Sequence, residues 1–277
     1  MSINRRQFFR LAGVTAVLGI GGASVLEALT GKGEAASAPG ARFTTDAKAV
    51  TGKRFGFAID VSKLKTDEDY QKCISACNDI HNIPDYGNPK DAIKWIWKDS
   101  YEHTFPTVTE TEIMNRELKE KPFILLCNHC DQPACVRVCP TQATFKRPDG
   151  IVMQDMHRCI GCRFCMAACP FGARSFNYRD PRGKDENGRP FIRKENPQFP
   201  TRMIGVVEKC TACYERLAVG KQPACAEASD GAIVFGDLED PGSEVRKLIA
   251  EKYTIRRKPE LGTQPSIYYV IGGGEHV

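Results

Sequence analysis

After Leu29 this sequence contains no long apolar run, so nothing in the remaining body is suited to cross a bilayer as a helix. It has no basic tail and no basic helix. The net charge is only +5, and part of it sits near the N-terminus, where Arg5, Arg6, Arg10 and Lys32 outnumber Glu27 and Glu34. The charge pattern therefore supports no nucleic acid partner. Histidine is scarce, with five residues in 277, and no H-E-x-x-H pair occurs. A P-loop is also missing, as is G-x-G-x-x-G after a strand, so the usual signatures of zinc hydrolysis, NTP chemistry and hydride transfer are absent. The length suits one large domain or two small ones, enough to bury a core.

What the chain has in excess is cysteine. There are 13, an odd count that cannot all pair as disulfides. The N-terminus narrows their use. "NRRQFFRLAGVTAVLGIGGASVLEAL" places Arg5 and Arg6 before an apolar run, the pattern of a twin-arginine export signal. Pro39 follows the A-x-A site Ala36-Ser37-Ala38 and opposes cleavage there, so an uncut anchor over Leu11 to Leu29 stays open. Exported chains commonly carry disulfides. The twin-arginine route, however, carries folded proteins with cofactors already inserted, which favours metal ligation.

The spacing of the cysteines is more specific. "CNHCDQPACVRVCP" holds Cys127, Cys130, Cys135 and Cys139 before Pro140. "CIGCRFCMAACP" holds Cys159, Cys162, Cys165 and Cys169 before Pro170, the C-x2-C-x2-C-x3-C-P run of bacterial [4Fe–4S] ferredoxins. A later run supplies Cys210, Cys213 and Cys225, and an opening stretch, "YQKCISACNDI", supplies Cys73 and Cys77. A tight loop delivers three thiolates from one piece of backbone, and the fourth comes from the last cysteine of another run. The expected ligand sets are cluster A (Cys127, Cys130, Cys135, Cys169), cluster B (Cys159, Cys162, Cys165, Cys139) and cluster C (Cys210, Cys213, Cys225, Cys77). Position 229, where the last run would place a fourth cysteine, is Ser229. Three clusters then use twelve cysteines, and Cys73 is left as a small buried hydrophobe. Structural zinc fits less well, because zinc takes two pairs rather than triplets with a distant fourth ligand and a proline.

These residues resemble the four-cluster ferredoxin subunits of membrane redox complexes, over roughly Phe55 to Val270. "GFAIDVSK", "VEKCTACYERLAVGKQPACAEA", "GAIVFGDLEDPGSEV" and "KPELGTQPSIYYV" carry the resemblance beside the cysteine runs. The sequence departs from the family pattern at one cluster site only, through two missing cysteines in the opening run and Ser229 in the last. With three clusters and an export signal it is most similar to the Dsr-type branch and its archaeal Hdr-like menaquinol oxidoreductase counterpart. That resemblance implies electron transfer without substrate chemistry, at the periplasmic or extracytoplasmic face of the cytoplasmic membrane. The implied partners are an NrfD-like polytopic, quinone-reactive membrane subunit, a multihaem cytochrome c and further Dsr/Hdr-like subunits. The alternative is the electron-transfer subunit of a molybdopterin oxidoreductase, such as polysulfide or DMSO reductase or formate dehydrogenase.

The expected fold is α+β, with two interleaved bacterial-ferredoxin-like modules, an insertion and a C-terminal extension. Its expected parts are a signal at 1–38, a linker at 39–53, the iron–sulfur domain at 54–240 and the extension at 241–277. The patterns predict a strand over Phe55 to Val61, a helix over Glu68 to Asn78 and a helix at "SEVRKLIAEK" capped by Ser243. Strands are expected within "IVMQDMHRC" and "RSFNYRD". "RDPRGKDENGRPFIRKENPQFP" is expected as a polar surface loop. The aromatic stretch "DAIKWIWKDSYEHTF" reads as a hairpin over the core, with a docking surface as the competing reading. His129 is expected beside a cluster or at the surface but not as a ligand, and His157 as solvated. Lys146, Arg158, Arg163 and Lys209 are basic residues near the anionic clusters whose plain reading is solvated surface.

Overall fold

A computed structural model describes residues 46–106 and 120–271. The expected export signal, the first part of the linker, residues 107–119 and the last six residues lie outside the described residues.

Strand β1 (Phe55–Asp60) is followed by helix α1 (Asp67–Ile80), strand β2 (Ile96–Asp99), one-turn helix α2 (Tyr101–Thr104) and strand β3 (Phe123–Leu126). Each of the next two cysteine runs contains a single helical turn. These are α3 (Ala134–Arg137), followed by β4 (Thr144–Lys146) and β5 (Val152–Gln154), and α4 (Phe164–Ala167), followed by β6 (Ser175–Phe176). After β7 (Val207–Glu208) come α5 (Tyr214–Leu217), α6 (Ala224–Glu227), β8 (Ile233–Asp237), α7 (Glu244–Glu251), β9 (Thr254–Ile255) and β10 (Ile267–Val270). The result mixes short helices and sheets, an α+β fold.

The largest sheet has the order β8-β1-β10-β9, with β1 and β10 parallel and the other pairs antiparallel. Alternation explains its faces. Phe55, Phe57 and Ile59 of β1 enter the main core, while Ala58 between them packs with Leu238 and Val245 on the other side. Each such large apolar side chain contributes roughly 1.5–3 kcal/mol on full burial. The extension thus folds into the body: Ser243 caps α7 by accepting from the Arg246 amide, and β10 becomes an inner strand. Residues 46–53, expected as linker, are also tied down. The Val50 amide donates to the Leu217 carbonyl at 2.9 Å, and the Lys53 and Arg54 amides donate to the Asp237 carboxylate.

The aromatic stretch is core. β2 pairs with β3, and Trp95, Tyr101 and Phe105 are buried; the latter two meet Phe123, and Phe105 and Phe123 reach Tyr269. This removes the docking-surface reading, since those rings face inward. The polar loop over 179–200 lies largely at the surface, although Phe191 and Phe199 anchor it and Asn82 Nδ2 donates to the Asn196 and Phe199 carbonyls. Two helix contacts arrange the cysteines. α1 packs on α6, and α3 packs on α4, so the outer runs meet each other and the central runs meet each other. Among the described residues no helix is long and apolar enough to cross a membrane.

Candidate metal centre

All thirteen cysteines are free. Three loops present them in the same way. The residue before the second cysteine of each loop has positive φ: His129 at 39°, Gly161 at 71° and Ala212 at 53°. That left-handed step turns the backbone around the thiols and brings its N–H groups to face them. At Gly161 the requirement is double, because a Cβ there would sit 2.3 Å from the Gly205 carbonyl oxygen. Amides then reach sulfur directly: Thr144 to Cys139, Val207 to Cys159, Ala212 to Cys210 and Ala224 to Cys213, at 3.4–3.5 Å. Such donors stabilise thiolate over thiol.

The cysteines converge in three groups. Cys127, Cys130, Cys135 and Cys169 line one cavity, with Pro133, Arg174 and Thr263 among its other walls. Cys139, Cys159, Cys162 and Cys165 line a second, beside Thr141 and Gln154. Cys77 stands against Cys213, Cys210 and Cys225, and burial followed by those three neighbours drives its thiol well above the ordinary range. Burial likewise pushes Cys130 up to about 12, with Cys127 and then Cys135 and Cys169 adding to it. Four crowded, buried thiols resist ionisation unless a cation core draws their charge together.

The surroundings fit such a group. Lys209 is completely buried, and its Nζ bonds only carbonyl oxygens, those of Val152 and Cys210. Of the two readings open for Lys209, a charge beside the cysteines or solvated surface, burial removes the second: it points inward behind Cys210. Arg174 is also buried. Its Nη1 donates to Thr144 Oγ1 and Gln154 Oε1, while Nη2 has no partner. Burial alone would lower its pKa, but Cys135, Cys165 and Cys127 outweigh that and raise it. Neither cation pairs with a carboxylate, and an uncompensated buried charge costs several kcal/mol. A polythiolate iron–sulfur group supplies the missing negative charge. His129 adds a donor. Burial, then Lys209 and Arg174, hold it neutral. Its Nδ1 accepts from the Val152 amide at 3.1 Å, so Nε2 carries the hydrogen, and that atom is buried without a partner.

The remaining basic residues behave as surface groups. Lys146 pairs with Asp131, Arg158 with Asp155, and exposed Arg163 lies over Phe176 and bonds the Tyr178 hydroxyl. His157 is exposed. Arg174 and His81 were not singled out by sequence patterns. Arg174 follows Cys169 by five positions, with no spacing rule to mark it, and His81 is one turn beyond Cys77. Nδ1 of His81 lies 3.5 Å from Cys77 Sγ, and Nε2 lies 2.8 Å from Glu215 Oε1.

Cys73 is fully buried near Cys225, and burial pushes its thiol up to about 11. Stepping back from it by the C-x2-C-x2-C spacing reaches Tyr70 and Asp67. Both lie in α1 rather than in a turned loop. Ser229 donates to the Ala226 carbonyl and accepts from the Ile233 amide, so its hydroxyl is fully used within the fold.

Comparison with known proteins agrees with this geometry. Two models of a 4Fe-4S dicluster domain match, over residues 121–184 and 155–215. The chain is 39% identical over 246 residues to the Hdr-like menaquinol oxidoreductase iron-sulfur subunit 1 of Archaeoglobus fulgidus, covering 80% of this chain and 85% of that one. It is 34% identical to the menaquinone reductase iron-sulfur cluster-binding subunit of Nitratidesulfovibrio vulgaris, covering 78% and 88%. Identity to the arsenate respiratory reductase iron-sulfur subunit of a Shewanella species is 36%, covering 74% and 95%. The chain belongs to this family of ferredoxin-type iron–sulfur subunits with 4Fe-4S dicluster domains.

Proposed function

We propose that this member of the ferredoxin-type subunit family is a non-catalytic electron relay with three [4Fe–4S] clusters in a membrane-bound respiratory complex of Dsr type. Iron–sulfur groups supply one-electron transfer. The chain's own residues hold them, exclude water and set the charge around them. The observation that carries the reading is that eight cysteines line two cavities in fours while Cys77 stands with Cys210, Cys213 and Cys225, and Cys73, near Cys225, lies in a helix with no ligand loop before it. The central and outer runs would form two interleaved modules.

The contacts between groups support a linear order. Arg174 feels both Cys135 of cluster A and Cys165 of cluster B. Cys210 of cluster C feels Cys127 of cluster A, and Lys209 ties the Cys210 carbonyl to that of Val152. The order would be B–A–C. Since all four positions of each group are cysteines, no iron is left open for substrate.

The relatives named for menaquinol oxidation and menaquinone reduction favour a quinone-linked pathway. The proposed partners are an NrfD-like membrane subunit, a multihaem cytochrome c and Hdr-like subunits, at the periplasmic face after twin-arginine export. Anaerobic purification of the native complex, with iron and sulfide analysis and mass spectrometry of partners, tests this. The expected result is those partners and about twelve irons belonging to this chain once the haem and cluster iron of the partners is subtracted. About sixteen or eight irons overturn the three-cluster reading. A molybdopterin subunit in their place overturns the Dsr-type assignment.

A further inference from the structure

His81 has an environment that packing alone does not require. It is buried and follows the last residue of α1. Its ring is wedged between Trp95, 4.6 Å away and tilted by 31°, and Phe199, 4.8 Å away and edge-on. Nδ1 faces only acceptors, the Cys77 carbonyl at 2.9 Å and Cys77 Sγ at 3.5 Å, so Nδ1 carries a hydrogen. Nε2 lies 2.8 Å from Glu215 Oε1. The ring is therefore held on both sides, and its Nδ1–H lies between the Cys77 carbonyl and the Cys77 sulfur.

We propose that His81, oriented by Glu215, is a positioning residue that donates a hydrogen bond to Cys77 Sγ and thereby raises the reduction potential of cluster C. This rests on the assignment of Cys77 to that cluster. A donor to a ligand sulfur stabilises the more negative, reduced state more than the oxidised one. Cys210 and Cys213 take backbone amides for this purpose, whereas Cys77 takes an imidazole. The backbone cannot be tuned by substitution, but His81 and Glu215 can. One further arrangement competes. The ligand atoms of His81, Cys213 and Glu215 lie within 4.8 Å of one another, close enough for His81 to be a metal ligand itself.

The test uses the full chain in its purified anaerobic complex. His81→Phe keeps an aromatic ring between Trp95 and Phe199 and removes both nitrogens, and Glu215→Gln removes the carboxylate charge that faces Nε2. Iron content and the midpoint potential of every cluster are read by potentiometric electron paramagnetic resonance. The expected result for His81→Phe is unchanged iron, one midpoint moved to lower potential and the others still. An exchangeable-proton hyperfine coupling on that cluster would also be lost. Glu215→Gln should move the same midpoint downward by less, because the neutral amide holds the donor ring less firmly, whereas a carboxylate acting on the cluster only through its charge would give an upward move and overturn the proposal. Unchanged midpoints with full iron overturn the proposal. Loss of about four irons per complex in His81→Phe, with normal iron in Glu215→Gln, also overturns it and makes His81 a ligand. If His81→Phe does not fold, the midpoint in Glu215→Gln decides alone. A wild-type count of about eight irons would instead remove cluster C, and with it the reading beneath this one.

Discussion

Two neighbouring places in this molecule are built from the same pair of helices, yet only one resembles a metal site. α1 carries Cys73 and Cys77 one turn apart, and the α6 segment carries Cys225 and Ser229 at the same interval. At the Cys77 end a left-handed loop presents Cys210 and Cys213, a histidine reaches sulfur, and a buried lysine lies behind. At the Cys73 end none of these is present among the described residues. Asp69 accepts from the Lys65 and Thr66 amides, which caps α1, and Asp67, Glu68 and Asp69 favour the positive end of its dipole. A helix started so firmly cannot open into a ligand loop. Tyr70 fills the space, with its hydroxyl on the Leu64 and Pro122 carbonyls. Where the ferredoxin spacing would place two further ligands, the chain has a packed helix in place of a turned loop.

The sharpest way to break this comparison is at the two cysteines themselves. Cys77→Ser should remove about four irons per complex, whereas Cys73→Ser should leave iron content and all spectra unchanged. Equal losses would make the two ends equivalent. Next in size is Tyr70→Ala. If the helix replaces the cluster by packing, that substitution opens a cavity and costs about 3 kcal/mol, read from anaerobic denaturant unfolding. Iron should stay constant.

The cysteine groups were legible because spacing is a chemical constraint that survives without structure. Counting alone assigns Cys77 to Cys210, Cys213 and Cys225, and the structure sets these thiols near one another. Burial of charge was not legible. Lys209 sits in "VEKC", where a lysine ordinarily points to water, and only the tertiary fold carries it inward. The inner position of β10 was equally hidden, since its partner β1 lies near the other end of the described chain and "PSIYYV" has no feature distinguishing an inner from an edge strand. His81 escaped notice for a related reason: one histidine a turn past a cysteine is common, and its meaning comes from Glu215, Trp95 and Phe199, all distant in sequence.

Buried cations sharpen the contrast further, because they stand only at the cysteine-lined side. Lys209→Gln keeps a donor but removes the charge. At about 1 kcal/mol, the loss corresponds to a fall of roughly 40 mV in a one-electron potential. It should appear in cluster A or C, with cluster B least affected. Ser229→Cys is a smaller perturbation. A thiol cannot replace the hydroxyl between the Ala226 carbonyl and the Ile233 amide without weakening both contacts, at about 1 kcal/mol. It should recruit no iron, because one restored thiol leaves Tyr70 and the capped helix in place.

The smallest expected effect concerns Asp67, which stands where the C-x2-C-x2-C spacing counted back from Cys73 would place a first ligand. Its carboxylate now pairs with Lys98 at the surface, where side-chain exposures of 77% and 39% leave the pair screened by water. Asp67→Asn should therefore cost less than about 1 kcal/mol, combining a weak ion pair with a modest loss of dipole stabilisation. A ligand position that carries function tolerates no such change, so the size of this effect measures how completely the position has been given over to the helix. A loss of several kcal/mol, or any change in iron, would mean that the first turn of α1 still supports a metal group, and the division between the two ends would fail at its outermost residue.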